Sequence, residues 1–290
     1  MHPAPSVIIF TVLSGLGFGF LAFLGMGAMQ PSGWGAFAVW GLGYGLAVGG
    51  LLASAFHLGN PQRALLAFTQ WRTSWLSREA WASVAALLTL APMALSDWLG
   101  FDLPRVIGWA GAALCVLAVV STSMIYAQIR AVPRWHNASV PAVFLAFALS
   151  GGAILSGQGS VALILLGFSG SAMILHWALG DTAFMRAGST LGTATGLGAI
   201  GVPQVFEQPH TGGNYLLREM IHVVGRKHAS KVRVIAVVMA IVVPALALLL
   251  LPGLWAVGVA VLAYLAGAFA QRWLFFAEAE HVVGLYYGLR

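Results

Sequence analysis

Long stretches of this sequence are almost free of charge, and that limits the fold more than any motif does. Eight apolar runs, at roughly 6–29, 34–56, 79–97, 105–129, 138–156, 159–180, 233–251 and 253–274, fill most of the 290 residues. Each is close to the ~20 residues a helix needs to cross the hydrocarbon of a bilayer. Backbone groups find no water there, so only helices or closed barrels can span it. The runs are continuous rather than alternating, which selects helices. Only 8% of the chain is charged, against roughly 25% in a soluble domain. The expectation is an all-α integral membrane protein with eight transmembrane helices, forming a single membrane domain over 1–290.

Pro31, Pro104, Pro133, Pro141 and Pro252 fall in or beside the connections, where helix breakers belong. The start, "MHPAPSVIIF", lacks a basic leading region, so the first run is expected to be a span rather than a cleaved signal. Cys115 is the single cysteine. That excludes a disulfide framework and any iron–sulfur cluster held by this chain alone, which needs about four thiolates. No bound metal is expected.

Orientation is read from Lys and Arg. With eight spans, the termini and the even-numbered connections share one side. Thirteen basic residues lie there: Arg63, Arg72, Arg78, Arg130, Arg134, Arg186, Arg218, Arg226, Lys227, Lys231, Arg233, Arg272 and Arg290. Arg105 alone lies opposite. Both termini are therefore expected in the cytoplasm. The net charge of +6 does not point to nucleic acid, because the basic residues sit between spans. The longest polar stretch, 181–232, is a basic cytoplasmic connection suited to a partner subunit or to anionic membrane lipid.

Glycines recur in "GLGFG" (15–19) and "GLGYG" (41–45), and Gly41, Gly45 and Gly49 have small-xxx-small spacing. A nucleotide loop needs a strand before it and a helix after it, and a membrane span offers neither. Close helix packing is the expectation for these glycines.

Ionisable and aromatic side chains collect instead at 54–81, "SAFHLGNPQRALLAFTQWRTSWLSREAW". His57 ends the second span and Glu79 opens the third, with Gly59, Pro61 and Arg63 between them. Ionisable groups at membrane depth are costly and usually face a cavity or a partner. A quinone suits them, since its carbonyls need donors and its reduction needs two protons. Histidine titrates near neutrality and can donate one. A carboxyl in a partly buried setting can relay protons, and arginine can polarise a carbonyl. Trp71, Trp75 and Trp81 would wall the ring. The plainer reading is that tryptophans favour membrane interfaces, and that Arg72 and Arg78 satisfy the orientation rule without chemistry.

The segments "MHPAPSVIIFTVLSGLGFG", "FHLGNPQRA", "SWLSREA" and "MIYAQIRAVPRWH" resemble the membrane anchor subunits of DMSO reductase-type complexes. The late stretch "ATGLG…NYLLREMIHVVGRKHASKVR" resembles the subgroup that anchors a cytoplasmic sulfite dehydrogenase. The resemblance implies an eight-helix anchor without metal in a bacterial inner membrane. It would hold a four-cluster iron–sulfur subunit and, through it, a molybdopterin catalytic subunit. Electrons would pass to the quinone pool, ubiquinone or menaquinone. The family's quinone-site residues match His57, Gly59, Arg63 and Glu79.

Three alternatives remain beside sulfite oxidation. The first is an anchor for a DMSO reductase oxidising menaquinol, whose catalytic subunits face the periplasm, opposite to the charge bias here. A haem b-type anchor needs facing histidines at membrane depth, and His57 with His176 is the candidate pair. The competing reading of His176 is a packed, hydrogen-bonded side chain. A secondary transporter would build its site near the midplane from broken helices, whereas the ionisable residues here gather at one face.

The charge bias predicts the outcome of a topology experiment. A reporter active only in the periplasm should be silent when fused after Arg290 and active when placed near Gly100. The reverse pattern would overturn the orientation.

Overall fold

The computed structural model describes residues 1–56, 60–207, 210–221 and 224–288. Its long helices are α1 (Pro5–Gly25), α2 (Gly33–Ala55), α3 (Trp75–Leu99), α4 (Arg105–Ala127), α5 (Ser139–Leu155) and α6 (Gly159–Asp181). Next comes α7, built from Ala229–Val237, a π turn at Val238–Val242, and Val243–Leu250, and then α8 (Gly253–Ala277). No strand occurs among the described residues.

Seven of these helices are long and apolar enough to cross a membrane. The exception is α5, where the sequence predicts a full span over 138–156. At 17 residues and 1.5 Å per residue, it falls short of the ~30 Å hydrocarbon thickness. It is stopped by Gly157 at φ +68°. Neighbouring helices enclose it instead, burying Val140, Val143, Phe144, Phe147, Ala148 and Ile154.

The centre of the bundle is α1. Phe18, Phe20, Leu21 and Leu24 are almost wholly buried, and the helix packs against α2, α4 and α5, with α8 also in contact. Consecutive helices pair as neighbours: α1 with α2, α3 with α4, α5 with α6, and α7 with α8. Lipid gives apolar helices no hydrophobic drive to associate, so close van der Waals contact has to supply it. Small residues permit that approach. A Cβ added at Gly17 would meet the Ala47 backbone, one at Gly50 the Ser14 backbone, and one at Gly19 the Ala148 carbonyl. Gly152 would meet Gly19 in turn.

The glycine stripe expected at 41, 45 and 49 is corrected here. Those three are exposed, and an added Cβ there would meet nothing within 4 Å. The packed face of α2 is Gly43, Ala47 and Gly50, the other side of the same helix.

Two prolines sit inside long helices. In α7, the Pro244 ring would collide with the Ala240 carbonyl in a regular helix. The π turn opens the ladder there, and Ala240 fits against Gly267 of α8. In α3, the Tyr44 hydroxyl donates to the Leu87 carbonyl at 2.6 Å, one turn before Pro92. Pro92 removes the donor to the Leu88 carbonyl, so this bond braces α3 one residue before the break.

These contacts predict a contrast on thermal unfolding of the solubilised protein. Gly19→Val should destabilise by at least the ~1–3 kcal/mol typical of overpacking, because the obstacle is backbone. Gly45→Val, on the open face, should leave the midpoint within about a degree of the parent.

Candidate functional site

The segment between α2 and α3 is fastened to the first turns of α3. Pro61–Phe68 forms a 3-10 helix, and the chain then turns into Trp75. The Ser77 hydroxyl donates to the Ala67 carbonyl and accepts from the Gln70 amide at 3.2 Å. Arg78 donates to the carbonyls of Trp71 at 3.0 Å and Arg72 at 2.6 Å, and its guanidinium lies 4.3 Å from the Trp75 ring centroid. Trp81 donates to the Phe68 carbonyl at 3.0 Å and meets the Phe68 ring edge-on. Arg78 and Trp81 are therefore staples for this connection, a role the sequence reading does not give them.

Of the four residues named for the site, His57 and Gly59 lie outside the described residues. Arg63 sits on the 3-10 segment and is exposed. Glu79 is only 4% exposed, because α3 begins four residues before it, at Trp75. Its carboxylate accepts a hydrogen bond from the Thr122 hydroxyl of α4. Among the described residues no contact joins Arg63 to Glu79, so the structure does not bring these two together.

A second group of charges closes the same end of the bundle. Arg134, between α4 and α5, pairs with Asp181 at 2.5 Å and Glu278 at 3.3 Å. Arg233, in α7, pairs with Asp181 at 2.6 Å and Glu278 at 2.7 Å. Arg226 pairs with Glu280. Two arginines thus share two carboxylates, and the network ties the ends of α6 and α8 to α7 and the α4–α5 connection. Beside it, Trp135 stacks on Phe275 and donates to the Phe275 carbonyl at 2.9 Å. His176 is buried, bonded through Nδ1 to Ser139 at 2.9 Å and stacked on Phe275. Its Nε2 is buried and has no hydrogen-bond partner among the described residues.

Sequence reading misses Thr122 and misplaces Arg272. The charge bias counts Arg272 with the interfacial cations, yet it is 3% exposed inside the bundle. Without it the bias still points the same way. Thr122 carries no signal in a single sequence. The signal for Arg272 is its position within the apolar run 253–274.

The fold and these sites define a helical membrane protein whose ionisable side chains gather at one end of the bundle. No group of three or more His, Cys, Asp or Glu suited to a metal occurs among the described residues. The chain belongs to the DMSO reductase anchor subunit family, whose model matches residues 1–186. It is similar to a sulfite dehydrogenase subunit of Allochromatium vinosum, with 30% identity over 326 residues, covering 99% of each chain. No solved structure matches it.

The ion-pair network predicts a large effect from one carboxylate. Glu278→Gln leaves Arg134 and Arg233 sharing Asp181 alone, next to a buried neutral amide. Breaking a buried pair typically costs about 3–5 kcal/mol. The unfolding midpoint should drop by several degrees, whereas Glu207→Gln, in an exposed stretch, should not move it.

Proposed function

We propose that this chain is the quinone-exchanging anchor of a sulfite-oxidising molybdoenzyme complex. Glu79 carries the reading: a buried carboxyl just inside α3, hydrogen-bonded to Thr122, beside the connection that holds His57 and Arg63. The likeness to a sulfite dehydrogenase subunit over the whole chain favours sulfite as the partner's substrate. At the partner, sulfite and water give sulfate, two protons and two electrons. At the anchor, the quinone takes up two electrons and two protons to give the quinol.

Each residue has a task in this reading. His57 donates to one quinone carbonyl, Gly59 lets the backbone approach the ring, and Arg63 polarises the site. Glu79 passes protons between the ring and water. The chain crosses the membrane eight times with both termini cytoplasmic, and the iron–sulfur subunit sits on the polar end, within reach of the quinone. The connection after α6 supplies its docking face. Arg186 is turned inward onto the Leu179 carbonyl and Arg226 is ion-paired, while Arg218, Lys227 and Lys231 remain exposed. Ile200, Val202 and Phe206 are more than four-fifths exposed, and patches of this kind commonly mark interfaces.

In the purified complex, His57→Ala and Glu79→Gln should leave the subunits assembled and sulfite-to-dye electron transfer intact. Reduction of a quinone analogue should fall by about 10²- to 10⁴-fold, the usual cost of losing a positioned proton donor. A parental rate in either variant would remove that residue from the site.

A further inference from the structure

We propose that Arg272 is the buried counter-cation of Glu79, linked to it through Thr122 across a water-sized cavity. It acts as a positioning residue for the Glu79 carboxyl. Its part in proton transfer rests on the quinone reading above, whereas the pairing itself does not.

Arg272 cannot discharge itself by losing a proton, and an isolated cation inside a bundle is costly. Its guanidinium lies 3.7 Å from the Phe144 ring centroid and 5.6 Å from that of Phe275, so the π faces offset part of that cost. Even so, Nε and Nη1 have no hydrogen-bond partner among the described residues. No carboxylate there forms an ion pair with Arg272, although Arg134, Arg226 and Arg233 all have one.

The groups around it narrow the choice of counter-charge. A cavity of about 20 Å³ is lined by Arg272 with Thr11 and Ser14 of α1, Thr122 of α4, Phe144 of α5 and Tyr264 of α8. A single water needs about 10–15 Å³ measured in that way. The Thr11 and Ser14 hydroxyls donate to carbonyls of their own helix and Tyr264 donates to the Phe147 carbonyl; each keeps lone pairs for a guanidinium, but none of these hydroxyls is bonded to an acid among the described residues. The Thr122 hydroxyl donates its one proton within Glu79 and the Ala118 carbonyl, and its second lone pair is free to accept. Thr122 thus faces the guanidinium across the cavity and the carboxylate on its other side. Tyr126, one turn along α4, interacts electrostatically with both Glu79 and Arg272. The remaining ionisable neighbour is His176, which carries two other arginines in its surroundings. Asp181 also lies near His176 but is already paired with Arg134 and Arg233, which leaves Glu79 as the acid bonded to a residue of the cavity wall.

Depth agrees. Thr122 and Arg272 each lie five residues before the end of their helices, and Glu79 lies four residues after the start of its own. At 1.5 Å per residue, all three sit about 6–8 Å inside the same end of the bundle.

The test is a double-mutant cycle on thermal unfolding of the purified complex. Glu79→Gln and Arg272→Gln should each lower the midpoint by several degrees, since each leaves a lone buried charge. The double variant, having none, should recover at least half of the summed loss. Additive losses would overturn the pairing. Should Arg272→Gln fail to assemble, Arg272→Lys keeps the charge and shortens the fork. It should assemble and reduce a quinone analogue about tenfold more slowly than the parent, and Thr122→Val should slow it at least as much. Parental turnover in both would overturn the positioning role. Coupling in the cycle with parental quinone turnover for Glu79→Gln would sink the quinone reading and leave the pair standing. An additive cycle with quinone turnover lost would do the reverse.

Discussion

Without water inside a bilayer, every backbone group must be satisfied within its own helix, and helices must be held together by contact alone. The structure meets both demands through α1. That helix has no charged side chain, and the hydroxyls of Thr11 and Ser14 bond to its own backbone. Gly17 and Gly19 let α2 and α5 approach to backbone distance. With α1 fixed, the α3–α4 pair leans on it through α4, and α8 closes the other side. The positions of Thr122, Arg272 and the Glu79 carboxyl all follow from how α4 and α8 meet α1.

Most ionisable groups lie at one end of this scaffold, where two physical regimes operate side by side. In the Arg134–Asp181–Arg233–Glu278 network, opposite charges meet directly and partly in contact with solvent. A little deeper, Glu79 and Arg272 are buried with a hydroxyl, aromatic faces and a small cavity around them. The first arrangement holds helices together. The second leaves an acid and a cation buried without a direct ion pair between them.

The helices are legible in the sequence because a span is a local property. Length and lack of charge mark each run, and the helix ends fall within a few residues of them, α5 included. The faces are harder to read. Gly41, Gly45 and Gly49 have the right spacing, but so do Gly43, Ala47 and Gly50, and only the placement of α1 decides between them. Glu79 is visible as an acid at the mouth of a span. Its donor is not, since Thr122 is 43 residues away and looks like any helical threonine. Asp181, Arg134 and Glu278 read as unrelated loop charges for the same reason. Their partnership depends on helix ends that meet only in three dimensions.

The order of synthesis gives that partnership a role in how the chain matures. Arg134 and Asp181 are made long before Glu278, and chains fold from the N-terminal side first as they emerge. Until α8 has entered the membrane, Arg134 and Arg233 share a single carboxylate and the polar end stays unsealed. Arrival of Glu278 acts as a latch that closes only on a fully inserted chain. A chain that stops before Glu278 would leave Arg134 and Arg233 with Asp181 as their shared carboxylate.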